Sequence, residues 1–363
     1  MTARLPIFDR SSAPSLPFPR GWYVAADSDE IARGDVKPIK ALGRDLVVFR
    51  TEDGEAHVIN AYCPHLGAHL GHGGRVVGDR IRCPFHAWEF EGKTGKCLKA
   101  AHGDAVPPRA EIKRWHVDEM DGLILVWFHE DGAEPDWRVK PQPDFDLEWT
   151  PWRRRVWELK ARIQDVAEND ADISHTPAMH DLTDILPKLE MDTEGQICDW
   201  KMSIEANRSA FGLPGSPRLW DFLRIPATIP SRIEVRRSGF PLGLIRQWST
   251  LPGGLQLLSQ TFITTMPIDN EHVRVVARHR VKPTPIRALT KIVLDKYCGI
   301  FNTTFEEDIT VWENKVYRMR PLASKSDWSI LKLRKWARQF YGEGVYEDAL
   351  RREDEMRKAG VLP

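Results

Sequence analysis

The chain has 363 residues, with 52 basic and 52 acidic side chains and a 42% hydrophobic fraction. Zero formal net charge argues against a protein that coats nucleic acid, which normally carries a basic surplus, and the apolar fraction argues against a chain that stays disordered. No run of about 18 uncharged apolar residues occurs, so no membrane-spanning helix is expected. At roughly 150 residues per domain the length predicts about two domains. The first twenty residues include Arg4, Asp9 and Arg10. They lack the apolar centre of a signal peptide, and a soluble, cytoplasmic protein is expected. Five cysteines in such a chain do not form a disulfide framework and read as apolar fillers or metal ligands.

The first half predicts short strands, such as 45–50, 56–60 and 122–128. Turn signals separate them, among them Glu52-Asp-Gly54 and Asp121-Gly122. This spacing predicts a small antiparallel barrel or sandwich. A proline-rich stretch with Pro135, Pro141, Pro143 and Pro151 then reads as a linker. The expected domains are therefore 20–134 and 135–363. The second is expected to be α+β: a strand over 152–162, a helix over 164–179, and strands near 231–236, 254–260 and 272–278. Helices over 285–318 and 328–341 would cover one side of the sheet.

Two constellations carry chemistry. The first is Cys63-Pro-His65-Leu-Gly67, seventeen residues, then Cys83-Pro-Phe-His86. Each half puts one thiolate and one imidazole on a proline-stiffened loop. A Cys₂His₂ zinc site is the plainer reading, but its usual spacings pair like with like. Mixed pairs fit a Rieske [2Fe–2S] centre, with Cys63 and Cys83 on one iron and His65 and His86 on the other. The run from about Trp22 to Phe128, above all Cys83-Pro-Phe-His-Ala-Trp-Glu-Phe90, resembles the Rieske domain of the ring-hydroxylating oxygenases.

The second is Glu168-Asn-Asp-Ala-Asp172-Ile-Ser-His175-Thr-Pro-Ala-Met-His180. On a continuous helix, residues 168, 172 and 175 share a face, and Pro177 should end or kink that helix. Two histidines converging from a helix and its exit form half a metal site. The pattern N-x-x-D-x-x-H-x₄-H is similar to the mononuclear iron motif of the same family. A two-His, one-carboxylate site then needs an acid from elsewhere. Helical spacing puts Phe301, Phe305, Asp308, Trp312 and Lys315 on one stripe, where Asp308 is the only acid. A carboxylate there needs a charge partner or a metal. Glu306 and Glu313 fall on another face and read as solvated.

The resemblance implies an N-terminal all-β Rieske domain and a helix-grip-like antiparallel sheet domain with covering helices. It implies that Asp172 links His86 of one subunit to His175 of the next in a head-to-tail homotrimer, and that Asn169 sits near the iron. The local runs 163–172 and 305–341 are similar to sterol 7-desaturases and to 3-ketosteroid 9α-hydroxylases. The implied activity is O₂-dependent hydroxylation or desaturation of a small hydrophobic polycyclic substrate, a steroid or sterol, with an aromatic or alkaloid-type substrate as the alternative. An electron carrier without catalysis would need only the first hundred residues or so. No nucleotide-binding glycine motif is present, so NAD(P)H is expected to act through a ferredoxin and/or a flavin-dependent reductase. Phe211, Leu213, Trp220, Phe222, Leu223, Phe240, Leu242, Leu244 and Trp248 are candidates for an apolar pocket.

Replacing Cys63 or Cys83 by Ala should abolish the EPR signal of the reduced cluster and lower the stability of the N-terminal domain, because cluster binding and folding are coupled. Retention of the signal in either variant refutes the ligand set.

Overall fold

The computed structural model describes residues 13–142, 148–180, 188–207 and 228–362. Pro143, Phe211, Leu213, Trp220, Phe222 and Leu223 lie outside the described residues. The chain divides into two compact units. One comprises Arg20–Phe145 with Met266–Asn270, and the other Met1–Pro19, Asp146–Thr265 and Glu271–Pro363.

Among the described residues, the regular elements of the unit built on Arg20–Phe145 are strands and short 3-10 turns. β1 (Gly21–Asp27), β9 (Val117–Met120) and β10 (Leu123–Phe128) form one sheet, and β2 (Val36–Ala41), β3 (Arg44–Arg50) and β4 (Ala56–Asn60) a second. β5 (Arg75–Val77), β6 (Arg80–Arg82), β7 (Glu89–Glu91) and β8 (Cys97–Lys99) form a third. Every residue of the apolar run in β10 is buried. The Asp121-Gly122 signal becomes a two-residue hairpin with φ of 52° and 75°. Positive φ at both positions matches the right-handed twist of the paired strands. The core gathers Val47, Phe49, Ile59, Leu70, Ile81 and Phe90 beneath the two cysteine loops.

The other unit carries a seven-stranded antiparallel sheet. It is built from β11 (Arg153–Leu159), β12 (Lys188–Glu194), β13 (Ile197–Asn207), β14 (Thr228–Ser238), β15 (Leu242–Thr250), β16 (Gln256–Pro267) and β17 (Val273–Val281), in the order 11-17-16-15-14-13-12. Among the described residues its helices are α1 (Ile163–Asn169), α2 (His175–Met179), α3 (Arg287–Asn314), α4 (Trp328–Ala337) and α5 (Val345–Lys358). Leu294, Cys298, Phe305, Asp308 and Trp312 are the buried residues of α3. Trp157 of β11 packs on Phe305 at 4.5 Å between ring centroids, which holds this helix to the sheet. No helix is long and apolar enough to cross a membrane, among the described residues.

The helix expected over 164–179 is two helices. α1 stops at Asn169, and Asp172 Oδ1 then accepts the backbone N–H groups of Ser174 and His175 at 3.0 and 3.3 Å. This side-chain acceptor competes with helix continuation and opens α2. Pro177 therefore breaks nothing. It sits in the first turn of α2, where its missing N–H has no helical partner to lose. Residues 168, 172 and 175 do not share one helix face.

Three acids of this segment are held by cations from other elements. Lys315 reaches Asp165 at 3.0 Å, Arg237 reaches Asp170 at 2.6 Å, and Arg334 meets Glu168 through two contacts of 2.8 and 2.9 Å. Tyr317 donates to the same Glu168 at 2.6 Å. Removing one side of such a buried pair leaves an uncompensated charge. Arg334→Met should therefore lower stability by about 3 kcal/mol in chemical denaturation, and adding Glu168→Gln should recover part of the loss. Additive effects of the two changes would show that the pair does not act as a unit.

Candidate metal centres

The two cysteine loops share one backbone pattern. In the first, Cys63 N–H donates to Ala68 O at 2.9 Å and Cys63 O accepts from Gly67 N–H at 3.0 Å. In the second, Cys83 N–H donates to Trp88 O at 2.8 Å and Cys83 O accepts from Ala87 N–H at 3.2 Å. The residue four after each cysteine has positive φ, 76° at Gly67 and 57° at Ala87. A left-handed alanine costs about 1–2 kcal/mol, which the hydrogen bonds on either side of it offset.

Both thiols are buried, and the imidazoles of His65 and His86 lie nearer the surface, 4.6 Å apart between ring centroids. Trp88 stacks flat on His65 at 4.6 Å and 5°. Burial, together with the facing Cys83, pushes the Cys63 thiol up to about 11. A buried Cys63 thiol that resists ionisation needs a cation to hold it as the thiolate. With two thiols and two imidazoles on paired loops, the donor set fits a [2Fe–2S] cluster that Cys63, Cys83, His65 and His86 would hold.

In the sheet unit, ligand-capable atoms of His175, His180 and Asp308 all lie within 4.8 Å of one another. Asp308 Oδ1 is 3.2 Å from His180 Nε2 and 3.9 Å from His175 Nε2. Its other oxygen accepts from Asn169 Nδ2 at 3.0 Å, so Asn169 orients the carboxylate. Asp172 Oδ2 stands 3.8 Å from His175 Nδ1, a ring nitrogen that is buried without a hydrogen-bond partner. Burial works against charge on Asp172, but the His175 contacts outweigh it and hold the carboxyl below its usual range. Two imidazoles and one nearly buried carboxylate facing each other fit a divalent metal with open positions.

Glu307 was missed by the sequence reading. Its Oε2 meets His180 Nδ1 at 2.8 Å, the carboxylate–imidazole arrangement that sets the tautomer of a metal-binding histidine. Nothing in the sequence separates it from Glu306. Glu306 is solvent-exposed, and it also accepts from Trp157 Nε1 at 3.0 Å and Arg155 at 2.9 Å. Glu313 likewise accepts the backbone N–H of Lys160 at 3.2 Å.

The three groups open onto a cavity of about 380 Å³ between α3 and the sheet. Its sheet wall presents Met202, Ile204, Ile233, Val235, Ile245 and Ile263. Phe240, Leu242, Leu244 and Trp248 are not part of it. On β15 the cavity face carries Ile245, Gln247 and Ser249, and side chains alternate faces along a strand. The larger residues at 242, 244 and 248 therefore point to the other side of the sheet.

Residues 21–110 match the Rieske [2Fe-2S] domain, and residues 126–341 match the 3-ketosteroid 9alpha-hydroxylase C-terminal domain. Over 355 residues the sequence is 33% identical to cholesterol 7-desaturase nvd of Xenopus laevis, covering 89% of this chain and 72% of that protein. The chain belongs to the Rieske oxygenase family. The oxygenase is also 27% identical to a probable 3-ketosteroid-9-alpha-monooxygenase oxygenase component of Rhodococcus rhodochrous, over 89% of this chain and 80% of the relative. Dicamba monooxygenase bound to 3,6-dichlorosalicylic acid shares its fold, with a TM-score of 0.68 at 19% identity over 92% of this chain and 98% of that one. The N-terminal unit is thus a [2Fe–2S] domain and the protein an oxidoreductase.

Glu307→Gln should weaken iron binding at the His175–His180–Asp308 site about 10–100-fold in equilibrium dialysis, the usual effect of removing a histidine's carboxylate partner. The cluster spectrum should be unchanged. Wild-type iron affinity in this variant would show that the 2.8 Å contact does not orient His180.

Proposed function

We propose that this oxygenase hydroxylates or desaturates a steroid or sterol, using O₂ and electrons from a separate reductase system. The observation that carries the reading is a predominantly apolar cavity of about 380 Å³ with His175, His180 and Asp308 in its wall. That volume suits a small hydrophobic ligand, and the named relatives act on cholesterol or 3-ketosteroids.

In this reading Cys63, Cys83, His65 and His86 hold the [2Fe–2S] cluster, and His175, His180 and Asp308 hold a ferrous ion. When bound, the cluster supplies single electrons and the ferrous ion activates dioxygen for attack on an unactivated C–H bond. The chain's own residues prepare that chemistry. Asn169 turns Asp308 toward the two imidazoles, and Glu307 fixes His180. The aliphatic wall orients the substrate through shape and excludes water. NAD(P)H acts indirectly, through a ferredoxin and/or flavin reductase.

Asp172 is the proposed link between centres. Its carboxylate lies beside His175 Nδ1 and its side chain is 30% exposed, so a second imidazole can approach from outside. We assign that imidazole to His86 of a neighbouring copy, in a homotrimer whose head-to-tail contacts close a ring.

Four measurements test this reading. Metal analysis should give about three irons per chain, two from the cluster and one from the second site. With a reductase and NAD(P)H, a steroid should yield an oxidised product, and neither His175→Ala nor His180→Ala should turn over despite an intact cluster spectrum. Asp172→Asn should keep both centres loaded yet slow product formation at least tenfold. Mixed oligomers of Cys83→Ala and His175→Ala should regain activity that neither variant has alone. Two irons per chain with no turnover would reduce the protein to an electron carrier, and verified mixed oligomers that stay inactive would confine electron transfer to one chain.

A further inference from the structure

We infer that the part of the cavity around Tyr297 accepts a hydrogen bond from a hydroxyl group of the substrate, and so selects an alcohol over the ketone of the same skeleton. The inference rests on the steroid reading above and concerns which oxygen function that substrate carries.

Tyr297 and Asp308 both lie on α3 and both line the cavity. They are eleven residues apart, which on an α-helix is three turns plus about 20°, so they face the same way about 16 Å apart along the axis. Phe301 and Phe305 pave the helix between them, and Ile245 and Ile263 face it from the sheet. A rigid apolar body lying along this corridor has the metal-binding residues at one end and a phenol at the other.

The direction of the hydrogen bonds behind that phenol is set from its far end. Tyr297 OH is 2.7 Å from Thr261 Oγ1, Thr261 Oγ1 is 2.8 Å from His279 Nδ1, and His279 Nε2 is 3.1 Å from Asn302 Oδ1. An amide oxygen only accepts, so His279 carries its proton on Nε2 and accepts at Nδ1. Thr261 then spends its one proton on His279 and accepts the proton of Tyr297. The phenol has no second proton, and it turns lone pairs toward the cavity. A hydroxyl can donate there. A ketone would bring its own lone pairs against those of Tyr297 and leave its oxygen unpaired in an apolar site.

The chain keeps one direction because neither end of it titrates. Burial pushes His279 down to about 4 and Tyr297 up to about 12. At neutral pH the imidazole is uncharged with a single proton, and the phenol is intact.

The test uses the iron-loaded whole protein without reductase, so that binding is read without turnover. Dissociation constants are measured by calorimetry for two steroids of one skeleton, one with a 3-hydroxyl and the other with a 3-ketone. The wild type should bind the alcohol at least roughly tenfold more tightly, the scale of one buried hydrogen bond. Tyr297→Phe keeps the ring and removes the acceptor, and should bring the two constants close together. Thr261→Val keeps the shape and frees the phenol proton to point into the cavity, and should shift preference toward the ketone. Circular dichroism identifies a variant that fails to fold, and the wild-type ratio with the remaining variant then decides. If neither steroid binds the wild type, the steroid reading fails and this inference with it. If both bind and the wild type shows no preference, prefers the ketone, or keeps its preference in both variants, this inference alone is overturned.

Discussion

A carboxylate that is 4% exposed on an otherwise aromatic and aliphatic helix face is the constraint around which the sheet unit is arranged. Asp308 cannot be solvated where it sits, and an isolated buried charge costs several kcal/mol. Every polar group near it answers that cost. The two imidazoles face one oxygen, the Asn169 amide binds the other, and Glu307 steadies His180 from behind. The loop from Asp170 to Ser174 brings His175 across to the helix. Its backbone is closed by Asp172, and Arg237 and Arg334 anchor the chain around it.

The same packing makes the cavity. A long helix laid over a twisted antiparallel sheet leaves a gap wherever the facing side chains are too short to fill it. On the cavity face of β15, Gln247 and Ser249 follow Ile245, while Leu242, Leu244 and Trp248 fill the opposite face. The shorter or polar side chains at 247 and 249 leave room in front of this strand, while larger apolar ones occupy its other face. Behind that wall, Asn302, His279 and Thr261 form an ordered chain that ends at Tyr297.

The cysteine loops solve a different problem with equal economy. One backbone turn, used twice, presents a thiol inward and an imidazole outward. The histidine falls two residues after Cys63 and three after Cys83, and that one-residue offset lets the two rings converge from loops of the same shape. Ala87 holds a conformation better suited to glycine, and Trp88, immediately after it, carries the His65 ring.

Spacing and a strand-rich context singled out Cys63, His65, Cys83 and His86 as candidates, because ligands on short loops are neighbours in sequence as well as in space. His175 and His180 were legible for the same reason. Asp308 was legible because a helix repeats, and an acid in register with Phe301, Phe305 and Trp312 stands out as the exception on its face. Strand positions and the Asp121-Gly122 hairpin followed from local propensity and turn chemistry. The break between α1 and α2 was misplaced, since a backbone-accepting aspartate and a proline give the same signal in one dimension. Which face of β15 lines the cavity, which acid supports His180, and which way the Tyr297 chain donates were settled by tertiary structure alone. Those depend on what lies across the gap, and residues that meet there are separated by tens to more than a hundred positions along the chain.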